Sequence, residues 1–168
     1  MIFPAFMSDL FLAPFEWIDK VWHTMRRANW HTYQILTKRP GRAVAYCNEK
    51  QRGTWPDNIW LGVTIESPNH WKRAKILSQI PANVRFISAE PLLFELGDLD
   101  FRGINWYIVG CESGPGRREC KIEWVRNIVS QCKAANVPLF VKQLSINGKV
   151  EHDITKFPKD CQIQEYPK

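Results

Sequence analysis

One phrase recurs along this chain and limits what it can fold into. A short apolar run ends in small polar or charged residues, and a helical stretch follows. Residues 35–38, 60–66, 86–90 and 107–112 all take this form. Runs of this kind are how a parallel strand reads when both of its faces are buried and its C-terminal end carries functional groups. The pattern predicts an α/β fold built as a (β/α) barrel or a piece of one.

Length decides between the two. A complete eight-stranded barrel takes about 250 residues, and this chain has 168. The expectation is a partial (β/α) barrel of about six parallel strands, over residues 2–7, 32–37, 59–65, 84–88, 105–109 and 138–142. Helices are expected over 14–28, 40–48, 69–79 and 122–136. In the first of these Phe15, Ile18, Val21, Trp22 and Met25 recur at three- and four-residue spacing behind Pro14, the pattern of one apolar face. Residues 1–143 read as the barrel body. Residues 144–168 read as a tail that packs on it, with Asn147-Gly148 as a turn.

The net charge is +6, which favours attraction to nucleic acid or to an acidic protein. The basic residues that are candidates for such contacts are Arg39, Arg42, Lys72, Arg73, Arg117 and Arg118, scattered between strands rather than gathered in a tail. Five cysteines, Cys47, Cys111, Cys120, Cys132 and Cys161, are odd in number and widely spaced. That argues against a disulfide framework and for a cytoplasmic chain with reduced thiols. The apolar start has no basic region before it and is cut short by Asp9, so no leader peptide is expected. No apolar stretch approaches the roughly 20 residues of a membrane helix, and no membrane contact is expected.

In a barrel the C-terminal strand ends converge on one face. That face would gather Ser8, Asp9, Lys38, Glu66, Glu90, Glu112, Ser113 and Lys142, the candidate ligand-binding residues. Charges placed there must pair with one another or with a ligand, so both an internal ion-pair network and a ligand site remain open. Gly114 and Gly116 belong to Glu112-Ser113-Gly114-Pro115-Gly116, which reads equally as a tight turn or as a loop presenting N–H groups to an anion. His23, His31, His70 and His152 read as surface or capping histidines without metal-ligand spacing. No Ser/His/Asp or Cys/His set assembles, and no catalytic residue or metal ligand is assigned.

Six ordered segments, 7–11, 31–40, 60–66, 84–92, 106–116 and 138–143, together resemble a family of phage and prophage proteins related to radical SAM enzymes. The resemblance covers nearly the whole chain. It implies a radical-SAM-like barrel. It also implies, for full-length members only, a [4Fe–4S] cluster held by three closely spaced cysteines and S-adenosylmethionine as its co-substrate. Such a cysteine segment is absent here, and Cys111 stands where the family often has glycine, so the chain reads as an N-terminally truncated member with no cofactor expected of its own. A fragment, a degraded prophage gene and a shortened protein with a new role all account for this.

Two functions follow as expectations. The first is a non-catalytic macromolecule-binding protein of phage or mobile-element origin, with a protein partner, such as a host defence protein, or nucleic acid. An open sheet edge would then invite a homodimer or strand addition. The second is a remnant or portion of a radical-SAM-like enzyme acting on nucleic acid or a nucleotide-like substrate.

Overall fold

A computed structural model describes residues 1–5 and 8–167. Six strands, β1 (Tyr33–Thr37), β2 (Ile59–Thr64), β3 (Arg85–Ala89), β4 (Trp106–Gly110), β5 (Leu139–Ile146) and β6 (Lys149–Glu151), lie in one sheet in sequence order. The sheet curls into a half-barrel. β1 to β5 are parallel, and β6 runs antiparallel to β5. No described helix is long and apolar enough to cross a membrane.

The expected six parallel strands are therefore five, plus one reversed. Asn147 and Gly148 both take positive φ, 49° and 72°, the conformation of a two-residue hairpin turn that turns the chain straight back. The expected first strand, 2–7, leaves a single parallel bridge among the described residues. The Ile2 N–H donates to the Thr32 carbonyl at 2.8 Å, and the Ile2 carbonyl accepts from the Gln34 N–H at 2.9 Å. Pairing stops there because Pro4 has no N–H to give and Ala5 sits at φ 57° in a turn. Phe6 and Met7 lie outside the described residues.

Among the described residues four α-helices accompany the strands: α1 (Phe15–Arg27), α2 (Pro40–Lys50), α3 (Lys72–Leu77) and α4 (Ile122–Ala134). α1 buries Ile18, Trp22 and Met25, three members of the face expected from their spacing. α3 is shorter than its expected span because Pro68–His70 forms a separate 3-10 turn. β3 passes to β4 without a helix. That loop instead buries Leu92, Leu96 and Ile104 in the main core, doing a helix's work of covering the sheet.

Successive side chains on a strand point to opposite faces, and this sheet uses both. Ile35, Leu61, Val63, Ile87, Tyr107, Val109 and Val141 face the helices and form the main core. Phe86, Trp106 and Ile108 form a second cluster, packed by Leu36, Trp60 and Phe140. Those residues share the opposite strand positions and line the concave side. The tail then returns beside β5: the Val141 N–H donates to the Ile163 carbonyl and the Glu165 N–H to the Leu139 carbonyl, each at 2.9 Å. β5 itself runs on to Ile146, across the body–tail boundary drawn at 143.

Candidate ligand-binding site on the concave face

The floor of the concave side is aromatic. Trp106 is its centre, with ring centroids of Phe86, Trp60 and Phe140 at 5.6, 6.0 and 6.2 Å. The Trp60 and Phe140 contacts are edge-on, the arrangement ring quadrupoles favour. From the tail, Tyr166 closes one end with its ring 5.5 Å from Trp106. The buried Trp106 indole N–H is satisfied by the Glu165 carbonyl at 2.8 Å. Gly62 makes room for the floor: a Cβ there would lie 2.3 Å from the Phe86 ring.

Above this floor is a cavity of about 530 Å³, bordered by Leu36, Phe86, Trp106, Ile108 and Phe140, with Ser88, Glu90 and Lys142 at its polar end. Glu90 stands two residues beyond Ser88 and Lys142 two beyond Phe140, so strand alternation directs them to the same side as the aromatics. Their ion pair spans 2.9 Å. The register between β4 and β5 slips between Val109 and Gly110, and Lys142 is the residue left without a β4 partner, as the extra residue of a bulge is.

Beside the cavity, at the ends of β1 and β2, Glu66 is 8% exposed. A buried carboxylate is costly unless its oxygens are bonded. Lys38 pairs with one oxygen, and Arg73 and His70 each reach the other at 2.9 Å. Arg73 also donates to the Thr64 carbonyl at 2.6 Å. Loss of solvent, then the neighbouring Arg73 and Lys38 charges, hold the His70 ring below its ordinary value. Held below its ordinary value, the His70 ring is neutral at neutral pH, with its Nδ1 2.9 Å from Glu66 and 3.4 Å from the Ser67 hydroxyl. Lys38 is lowered too, first by desolvation and then by Arg73.

The other residues singled out in the sequence serve different ends. Asp9 is a clamp: it accepts from the Phe11 N–H (3.0 Å), the Thr37 hydroxyl (2.8 Å), the Lys38 N–H (2.9 Å) and Arg39 (3.0 Å). Arg42 is spent on the Phe11 and Ala13 carbonyls, at 2.6 and 2.9 Å. Glu112 turns away from the cavity and closes its own loop, accepting from the Arg118 N–H at 2.8 Å and its guanidinium at 2.9 Å. Arg118 holds its carboxyl down to about 2. Arg117 donates to the Gly148 carbonyl. Ser8, Lys72, Ser113, Gly114 and Gly116 are exposed.

The structure thus joins Lys38, Glu66 and Arg73 in one cluster and Glu90 with Lys142 in another, and keeps Glu112 apart. Sequence reasoning passed over the aromatic floor and His70. The floor had a signal: counting back by twos from Glu66, Glu90 and Lys142 reaches Trp60, Phe86 and Phe140.

The cysteines do not fit the ligand set of an iron–sulfur cluster. Among the described residues no three His, Cys, Asp or Glu side chains are grouped to hold a metal ion. All five thiols are free and buried. Burial pushes Cys120 and Cys132 up to about 12 and Cys161 to about 11, so these thiols are neutral in the chain as it stands.

A family described as a protein of unknown function, DUF5131, matches residues 1–164. The chain belongs to the DUF5131 family. No curated protein and no solved structure matches it. In this DUF5131 member the matched span runs from the Ile2 bridge to the returning tail. Of the described residues around the cavity, Tyr166 alone falls beyond it.

Proposed function

We propose that the chain is a binding domain that takes a planar, base-containing ligand on the concave face of its half-barrel. The aromatic floor beneath the Glu90–Lys142 pair carries this reading. An apolar cavity with a few placed polar groups is the usual build of a ligand site, and about 300–1,000 Å³ is its usual size. Phe140 and Tyr166 keep accessible ring surface at the cavity, over the buried Phe86 and Trp106, and a base stacked on such a ring gains about 1–3 kcal/mol. The net charge of +6 favours an anionic ligand. A nucleic-acid strand is the macromolecular form of such a ligand and a nucleotide the small form.

One observation favours a second reading. Glu90 and Lys142 place a carboxylate and an ammonium side by side at one end of the aromatic floor. That suits a molecule with a zwitterionic end and a purine end, of which S-adenosylmethionine is the example implied by the sequence resemblance.

Equilibrium titration of the purified chain with a ten-nucleotide single strand, adenosine monophosphate and S-adenosylmethionine tests both. Saturable binding of one of them, weakened about tenfold by Phe140→Ala through loss of a stacking partner, is the expected result. Loss of S-adenosylmethionine binding alone in Lys142→Met selects the second reading. Absence of saturable binding, or binding that Phe140→Ala leaves unchanged, overturns the concave-face reading.

A further inference from the structure

We propose that Lys38, Arg73 and His70 form a phosphoryl subsite at the rim of the half-barrel, next to the aromatic cavity. The base of the ligand would lie on the floor and its phosphate at this rim. The inference deepens the concave-face reading and rests on it for the position of the base.

The three side chains come from separate elements. Lys38 follows β1, His70 ends the 3-10 turn and Arg73 lies in α3. All three converge on the single carboxylate of Glu66. Glu66 fixes them in place but cannot use up what they offer. An ammonium has three donors and a guanidinium five. Among the described residues Lys38 gives one to Glu66, and Arg73 bonds through Nη1 alone. The Arg73 Nε and Nη2 donors and two Lys38 donors are left over. Half of the Lys38 side chain is exposed, as is a third of His70.

The charge is also out of balance. Lys38, Arg39 and Arg73 face only Asp9 and Glu66 here, an excess of one positive charge. The cations feel one another: Arg73 depresses Lys38, and Arg39 depresses Arg73, in each case after desolvation. A bound dianion would relieve that repulsion, and a fork of guanidinium donors beside an ammonium matches phosphate geometry. His70, its Nδ1 2.9 Å from Glu66, would join by taking a proton from solvent when the dianion is bound.

Position ties the cluster to the cavity. Lys38 is two residues beyond Leu36, which lines the cavity. Arg73 is fixed to the Thr64 carbonyl, and Thr64 is the register partner of Ser88, which also lines it.

The test is nitrogen-15 NMR of the chain at low ionic strength, with inorganic pyrophosphate as the first probe. Saturable shifts of the Arg73 Nε–H and an upward move of the His70 titration are expected, both lost in Lys38→Met. In Lys72→Met, which removes an exposed neighbouring charge, both should persist. No shift at Arg73 or His70 overturns the subsite, and so does equal loss in Lys38→Met and Lys72→Met, the mark of diffuse attraction. Adenosine and adenosine monophosphate form the second pair of probes. The monophosphate should bind about tenfold tighter than the nucleoside, the scale of one charge-assisted hydrogen bond, and Lys38→Met should erase the difference. Adenosine binding with a silent pyrophosphate titration removes the subsite and leaves the aromatic floor standing. A pyrophosphate response without adenosine binding does the reverse. A ten-nucleotide strand that displaces pyrophosphate when the mononucleotide does not identifies a strand phosphate as the source.

Discussion

The Phe86 ring lies flat over Gly62, its register partner on β2. Three ring carbons stand within 2.5 Å of where a Gly62 Cβ would be. The concave floor exists because one strand gives up a side chain at this place. Packing this close tolerates no added methyl without displacing the ring. Gly62→Ala should cost about 1–3 kcal/mol by thermal or urea unfolding, the range for overpacking a filled core. In a Phe86→Ala background the same change should cost close to nothing, because its clash partner has gone. An equal cost in both backgrounds would place the strain elsewhere.

Asp9 joins the chain before α1 to the end of β1 through four donors. Asp9→Ala leaves the Thr37 hydroxyl and two backbone N–H groups without their acceptor. The expected loss is about 1–3 kcal/mol, the penalty for an unsatisfied buried donor. Asp9→Asn should recover part of it through the remaining carbonyl oxygen. Unfolding midpoints of the two variants check this, and equal midpoints would contradict it.

Glu112 gives a pH signature. Its carboxyl falls from 4.5 to about 2 in the fold, first through the Arg118 guanidinium and then through the Arg118 N–H. A depressed carboxyl stabilises the fold above its unfolded value, and that contribution fades as pH falls through the folded one. Stability of the wild-type chain should therefore drop between pH 4.5 and about 2. Glu112→Gln, measured by urea unfolding across the same range, should show a shallower drop. An unchanged slope would mean that the Arg118 contact carries no net charge interaction.

Thiol chemistry provides a check on the core. All five cysteines are buried, and Cys120, Cys132 and Cys161 are held as neutral thiols by desolvation. N-ethylmaleimide should leave the native chain unlabelled over minutes at pH 7, and label five sites in urea. Rapid native labelling, read by intact mass, would show that the half-barrel opens.

The fold was legible wherever a residue's role depends on its own strand. Apolar runs ending in Thr37-Lys38, Glu66 and Glu90 marked β1 to β3 and the rim, because buried parallel strands carry that signature. Roles set by distant segments were not legible. Trp106 reads as an ordinary core residue until Tyr166 and the Glu165 carbonyl arrive from the tail. His70 reads as a surface residue until the turn at Pro68–His70 brings its ring back to Glu66. Arg42 and Arg117 look like free basic charge, yet each is tied to a backbone carbonyl. The reversal into β6 lay in plain view in Asn147-Gly148, and the strand after it is only three residues long.

The indole region of the nitrogen-15 NMR spectrum tests the concave-face account most directly. The chain has eight tryptophans. Trp60 and Trp106 lie in the aromatic floor, whereas Trp17 and Trp30 are 65% and 74% exposed. Titration with adenosine monophosphate should move the Trp106 indole signal saturably, because that residue lines the cavity, and leave Trp17 and Trp30 in place. Movement of the exposed pair with a still floor, or no movement at all, would contradict the account.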